Sequence, residues 1–147
     1  MIKGIEHVAL SVSDLDRSIA FYTDVIGFKL ARLIECTPQM RLEDVAGLPG
    51  CKARIAHLES GKLMLELFEY QQPRGREIRE NHTQADLGFS HIGFKSTDVR
   101  GEYQRLKKIG IRFFSAPVEF RPGIWLCYFY GPDGEVCELR EQGGEGV

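Results

Sequence analysis

Histidine and glutamate recur at matching places in the two halves of this 147-residue chain. His7 opens the segment HVALSVSD and His91 opens the segment HIGFKSTD, which agree in residue type at most positions. Glu66 (in LEL) and Glu138 (in CEL) each lie between apolar residues in a strand-like run. Imidazole nitrogens and carboxylate oxygens are common ligands of divalent transition metals. If a pseudo-twofold axis relates the halves, we expect these four side chains to converge on one metal ion.

Strand alternation places both histidines on the face of their strand that points away from the helix. Apolar residues after His7 alternate so that one face meets a helix, while His7 and Ala9 face the other way. His91 and Gly93 follow the same pattern in the second half. A single strand histidine is more often structural, and a glutamate between apolar residues is costly unless it is paired or bound to metal. The recurrence of both favours a site for zinc, nickel, cobalt, manganese or iron.

A helix is predicted after each histidine segment. Apolar residues recur at helical spacing up to Gly27 in the first half and Gly110 in the second, where glycine suits a left-handed C-terminal cap. Ser13, with Asp16 three residues later, predicts a capping box at the start of the first helix. Asp98, or the threonine before it, is the equivalent cap of the second helix.

The remainder of each half is rich in strands. Outside the histidine segments, strands are predicted over 53–58, 63–70, 124–130 and 135–140. Each half therefore has the order βαβββ, and we expect an α+β fold made of two such modules. The modules are residues 1–70 and 89–141, with a linker over 71–88 and a flexible tail over 142–147.

Composition limits the classes of function. The formal net charge is −2 and the isoelectric point is near 6.1, without the basic surface expected of a nucleic-acid-binding protein. No apolar run approaches the roughly 20 residues of a membrane-spanning helix, and the first residues do not resemble a signal peptide. The four cysteines contain no C-x-x-C pair, which indicates reduced thiols and a cytoplasmic protein.

Several further residues are weaker candidates for contact with a substrate. The arginines could pair with a carboxylate or phosphate, or could be surface charges. The residues at third-strand positions could reach a cleft or belong to an edge or core. These candidates are Arg54, Arg121, Trp125, Tyr128 and His57. Arg32 is a further cation of the same kind.

These residues together resemble the vicinal oxygen chelate superfamily, which includes glyoxalase I, methylmalonyl-CoA epimerase, extradiol dioxygenases and bleomycin and fosfomycin resistance proteins. The matching segments, in chain order, are GIEHVALSVSD, SIAFY, VIGF, LELF, SHIGF, GPDG and EL. They extend over nearly the whole chain, roughly residues 3 to 141. The resemblance implies paired βαβββ modules that form a curled mixed sheet around a metal cleft.

The resemblance also implies a class of activity. Glyoxalase I and the epimerase fill all four ligand positions, and the glutamate at Glu66 is similar to the bacterial glyoxalase I set. This implies a metal-dependent lyase or isomerase that acts on a small oxygenated substrate through a metal-stabilised enediolate, with Glu138 or Glu66 as the base. It also implies a homodimer. The alternatives are an extradiol-type Fe(II) dioxygenase and a non-catalytic, drug-binding resistance protein.

Overall fold

The structure of the chain is a computed structural model that describes residues 1–79 and 81–142. The chain divides into two units, Met1–Glu77 (unit 1) and Ile78–Val147 (unit 2). Most of the tail expected over 142–147 lies outside the described residues. No helix in the described ranges has the length and apolar character needed to cross a membrane.

Unit 1 contains one four-stranded mixed sheet with the strand order β1-β4-β3-β2. The strand β1 runs parallel to β4, and the other neighbours are antiparallel. The strands are β1 (His7–Ser11), β2 (Lys29–Glu35), β3 (Lys52–Ser60) and β4 (Leu63–Gln72). The helices are α1 (Leu15–Ala20), which continues as a π-helical turn over Phe21–Val25, a 3-10 turn (Pro38–Met40) and α2 (Leu42–Ala46).

Unit 2 repeats this arrangement with the strand order β5-β8-β7-β6. The strand β5 is parallel to β8, as β1 is to β4 in unit 1. The elements are β5 (Ile92–Ser96), α3 (Val99–Lys108), β6 (Val118–Arg121), β7 (Ile124–Tyr130) and β8 (Val136–Gln142). The predicted α+β fold of two βαβββ repeats is therefore confirmed, with each repeat forming an open four-stranded sheet.

Each sheet has a helix face and an opposite face, which we call the site face. In unit 1 the helix face carries Leu58 and Leu67, which are fully buried together with Leu15 of α1. In unit 2 it carries Phe129, which is fully buried together with Leu106 of α3. The apolar stripe of each helix thus removes the helix face of its own sheet from water, which is the main source of stability for such a layer.

The caps at the helix ends agree with the sequence prediction except at the start of α1. The capping box on Ser13 was a wrong prediction, because Asp14 is the N-cap and its Oδ1 accepts a hydrogen bond from the Arg17 amide at 2.9 Å. The cap of α3 is Asp98, whose Oδ1 accepts from the Gly101 amide at 2.8 Å. Gly27 and Gly110 have φ angles of 96° and 88°, as expected of left-handed C-terminal caps.

Candidate functional site

His7 and Glu66 meet on the site face of unit 1. His7 begins β1, and Glu66 lies in the neighbouring β4 opposite Ala9. The Nε2 atom of His7 is 3.3 Å from Oε2 of Glu66. The Glu66 side chain is only 14% exposed, so its carboxylate needs polar partners in this position.

His91 and Glu138 form the equivalent pair in unit 2. His91 immediately precedes β5, and Glu138 lies in β8 opposite Gly93. The His91 Nε2 atom is 3.6 Å from Oε2 of Glu138, whose side chain is 12% exposed. The same nitrogen and the same carboxylate thus face each other in both units.

The second ring nitrogen of each histidine also has a polar neighbour. Nδ1 of His7 lies 3.2 Å from Oε2 of Glu6, and Nδ1 of His91 lies 3.0 Å from Oγ of Ser90. In metal centres a partner on one ring nitrogen fixes the orientation of the ring and leaves the other nitrogen for the metal. Both rings are therefore held with Nε2 towards a glutamate.

The third strand of each sheet places another polar side chain beside the glutamate. His57 is the cross-strand partner of Glu66, and its Nε2 atom is 3.0 Å from Glu66 Oε1. Tyr128 holds the same register opposite Glu138, and its ring packs on that of His91 with centroids 5.0 Å apart. Burial, and then the charge of Glu138, raise the pKa of the Tyr128 hydroxyl.

Glycine makes room for the carboxylate in unit 2. A Cβ atom at Gly93 would lie 3.1 Å from Oε2 of Glu138, closer than ordinary van der Waals contact. The equivalent position in unit 1 is Ala9, opposite Glu66. A small residue therefore stands beside each glutamate, as the strand alternation indicated.

Arg54 lies on the helix face of unit 1, away from His57. It is three residues from His57 in one strand, so the two side chains point to opposite faces. Its guanidinium contacts Asp16 of α1 at 3.0 Å, Glu35 of β2 at 3.1 Å and Glu69 of β4 at 3.4 Å. These carboxylates already neutralise the cation, and we leave Arg54 out of the proposed site.

Trp125 is placed in the same way in unit 2. It is three residues from Tyr128 in β7, and Arg100 of α3 stacks over its ring at 4.8 Å. It therefore lies on the helix face.

The two remaining arginine candidates are exposed. Arg121 lies in β6, the strand farthest from β5 in the sheet order. In unit 1, Arg32 is the cross-strand neighbour of His57 and is exposed on the site face.

One pair of helix-anchoring glutamates was not predicted from the sequence. Oε1 of Glu69 is 3.4 Å from the amide of Leu15, and Oε2 of Glu141 is 2.7 Å from the amide of Val99. Leu15 and Val99 are the first residues of α1 and α3. The sequence contained a signal for this pair, because a second glutamate follows Glu66 and Glu138 at the same spacing, E-x-x-E, in both strands.

The structure gives each unit a histidine–glutamate pair. Within residues 1–79 and 81–142, no group of three or more His, Cys, Asp or Glu side chains is arranged to hold a metal ion. The distance between the two donor atoms of each pair is nevertheless close to the distance between two ligands of a single metal ion. Two ligands on a metal with bonds of about 2.1 Å lie roughly 3.0 to 3.4 Å apart, near the 3.3 and 3.6 Å observed.

Comparison with known proteins gives the family context of these residues. The family model described as "Glyoxalase/Bleomycin resistance protein/Dioxygenase superfamily" matches residues 4–139. A 2-epi-5-epi-valiolone epimerase from an Actinomyces species is 34% identical over 92% of this chain and 78% of its own length. A lactoylglutathione lyase from Pseudomonas putida is 28% identical over 90% of this chain and 82% of its own length. The fold resembles that of a glyoxalase family protein from Bacillus cereus, with a TM-score of 0.88 and 24% identity over 98% of this chain and 97% of that one.

Proposed function

Since this chain belongs to the glyoxalase/bleomycin resistance protein/dioxygenase superfamily, we propose that it is a divalent-metal-dependent lyase or isomerase. The proposed reaction moves a proton at a carbon next to a carbonyl group of a small oxygenated substrate, through an enediolate. The observation that carries the proposal is the repeated pair, in which Nε2 of the histidine faces Oε2 of the glutamate at 3.3 Å in unit 1 and 3.6 Å in unit 2.

The proposed metal ligands are His7, Glu66, His91 and Glu138. Imidazole and carboxylate donors suit zinc, nickel, cobalt, manganese or iron, and the donor set does not distinguish among these. When bound, a divalent ion would polarise the substrate carbonyl and acidify the adjacent carbon. The partners of the two Nδ1 atoms, Glu6 and Ser90, hold the rings in the orientation that such a site requires.

Glu138 and Glu66 are the proposed acid–base residues. A carboxylate that is 12% or 14% exposed is largely desolvated, so it is available as a base for a substrate proton on the site face. The carboxylate that accepts the proton can return it to the neighbouring carbon, or the second carboxylate can donate a proton to the opposite face of the same carbon. The first outcome is the glyoxalase I type of reaction, and the second is epimerisation.

The epimerase version has the stronger support from sequence. The relative at 34% identity is named for an epimerisation, whereas the lactoylglutathione lyase is 28% identical. Arg32, exposed beside His57 on the site face, offers a cation for an anionic group on the substrate.

The proposed assembly is a homodimer and the proposed location is the cytoplasm.

The function is tested by metal analysis and proton exchange. Purified protein, reconstituted with each candidate metal, is expected to hold one divalent ion per site and to lose it when His7, Glu66, His91 or Glu138 is replaced by alanine. Incubation with candidate substrates in D₂O is expected to introduce deuterium next to the carbonyl. The panel comprises 2-epi-5-epi-valiolone, methylmalonyl-CoA and the methylglyoxal–glutathione hemithioacetal. His82, in the segment between β4 and β5, provides the alanine control.

Three results would contradict this proposal. Protein that holds no metal after reconstitution would remove its basis. Oxygen consumption with a catechol, retained in Glu66→Ala, would instead indicate an extradiol dioxygenase. Tight binding of a drug such as bleomycin, with no turnover of any substrate, would indicate a resistance protein.

A further inference from the structure

Glu66 has an imidazole on each of its two carboxylate oxygens. Oε2 faces Nε2 of His7 at 3.3 Å, and Oε1 faces Nε2 of His57 at 3.0 Å. An imidazole N–H is a donor and a carboxylate oxygen is an acceptor, so the two groups of each contact are complementary. The His57 contact is the shorter of the two, and its side chain is 21% exposed against 39% for His7.

The position of His57 in the sheet makes this contact well determined. His57 and Glu66 are direct cross-strand partners in the antiparallel pair β3–β4. Both neighbours of His57 on its strand, Ala56 and Leu58, are fully buried, which holds this part of β3 firmly in the core. The imidazole is therefore presented to Oε1 by a rigid element and not by a loop.

The equivalent position in unit 2 is occupied by a different residue. The residue opposite Glu138 is Tyr128, and its ring lies against His91 with centroids 5.0 Å apart. The two units thus treat their glutamates differently: one carboxylate is held by a histidine, and the other has an aromatic ring in that place. The difference does not follow from the repeat, because the two positions are equivalent in register.

We propose that His57 is a positioning residue that holds Oε1 of Glu66 and so leaves Oε2 directed towards the metal. This rests on the proposed function, because it assigns His57 a role at the same site. His57 is distinguished from a ligand by the oxygen it contacts, since the ligand His7 and His57 lie on opposite oxygens of one carboxylate. Groups that orient a metal ligand in this way typically change metal affinity by about 10- to 100-fold.

The experiment compares His57→Phe, His57→Gln and His82→Ala with the wild type, using Co²⁺ as the probe. Titration with Co²⁺, followed by its visible absorption, gives affinity and coordination geometry without any substrate. We expect His57→Phe to weaken Co²⁺ binding by about 10- to 100-fold. His57→Gln, which keeps an N–H donor, is expected to recover most of the loss, and His82→Ala, which removes a histidine outside the strands, should bind Co²⁺ like the wild type.

Crystal structures of the metal-free variants supply a second measurement. In His57→Phe, Glu66 is expected to leave the position in which Oε2 is 3.3 Å from His7 Nε2. If Glu66 keeps that position, or if His57→Phe binds Co²⁺ like the wild type, the positioning role is wrong. A changed coordination number that glutamine does not restore would make His57 a ligand and would also overturn the role. Failure of the wild type to bind Co²⁺ would instead contradict the proposed function, while the metal-free structures still decide the role of His57.

Discussion

The backbone amide of Val99 donates to Oε2 of Glu141 at 2.7 Å and joins the start of α3 to β8. Glu69 and Leu15 repeat the arrangement in unit 1, with a longer contact of 3.4 Å. Both amides belong to residues that are fully buried. Water therefore cannot serve as the acceptor for these N–H groups, which have no partner within the helix. A carboxylate at the N-terminus of a helix also interacts favourably with the helix dipole.

Replacing Glu141 by alanine is expected to lower the free energy of unfolding by about 1 to 3 kcal/mol, because the buried Val99 amide loses its acceptor. Glu141→Gln keeps an acceptor oxygen and is expected to cost less. Urea denaturation followed by circular dichroism measures both changes. Glu102→Ala, which removes an exposed ion pair with Arg105 on the same helix, is the control and should change stability by less than about 1 kcal/mol. Equal effects of Glu141→Ala and Glu102→Ala would contradict this account.

Replacing Arg54 is expected to affect stability and not the site. Arg54→Met leaves the half-buried Glu69 without its cation, so the thermal unfolding temperature should fall by several degrees. Because Arg54 lies on the helix face, Co²⁺ affinity should stay within about twofold of the wild type. A variant with normal stability but weakened metal binding would return Arg54 to the list of site residues.

The Arg54–Asp16 contact predicts a particular pH dependence of stability. The hydrogen bond from the Arg54 guanidinium, and then its charge, lower the pKa of Asp16 from its usual 3.8 against an opposing effect of desolvation. A lowered pKa in the folded state stabilises the protein above pH 3.8 and loses this effect as the pH falls through the folded-state pKa. The stability difference between the wild type and Asp16→Asn should therefore be complete near neutral pH and vanish in acid. In the Arg54→Met background the same substitution should show a much weaker pH dependence.

Gly93→Ala tests whether the space beside Glu138 matters. The new methyl group would lie 3.1 Å from Oε2, so the Glu138 carboxylate must move by a few tenths of an ångström relative to His91. We expect Co²⁺ affinity to fall by about tenfold while the unfolding temperature changes little, because Gly93 has an ordinary strand conformation. Ala9→Gly, at the equivalent position in unit 1, is the matched control and should leave affinity unchanged. Unaltered binding by Gly93→Ala would show that the site tolerates the displacement.

The cysteines should differ sharply in reactivity. Burial, and then the charge of Glu138, raise the pKa of the Cys127 thiol to about 11, so it is almost entirely protonated at neutral pH. Cys137 is fully buried, whereas Cys36 and Cys51 are half-buried. Iodoacetamide at pH 8 should modify Cys51 and Cys36 well before Cys127, as measured by peptide mass spectrometry. Early modification of Cys127 would show that unit 2 opens under native conditions.

The repeat made much of the fold predictable from the sequence. Its two copies of strand, helix and three strands correspond to the two sheets, and the pairing of each histidine with its glutamate follows from strand alternation. The placement of Arg54 and Trp125 was also accessible. Each lies three residues from a site-face residue of its own strand, which puts it on the other face.

Other features depended on the geometry of neighbouring elements. Ser13 and Asp14 are both good N-cap residues, and only the point where the chain turns into α1 decides between them. The contact of His57 with Glu66 depends on the register of β3 against β4. The four residues between the two predicted strands do not fix this register, and a shift of one residue would turn the side chains to the other face. Tertiary pairing supplied what local patterns could not.

The E-x-x-E spacing in β4 and β8 has a consequence for how this protein can change. Three residues along a strand bring a side chain to the opposite face, so Glu66 and Glu138 face the histidines of the proposed site while Glu69 and Glu141 each anchor a helix. The same two strands carry both tasks, but the tasks are separated by the thickness of the sheet. Substitutions that alter the proposed chemistry on one face can therefore accumulate while the contacts that fix the helix on the other face are kept, so each repeat can change its activity and retain its fold.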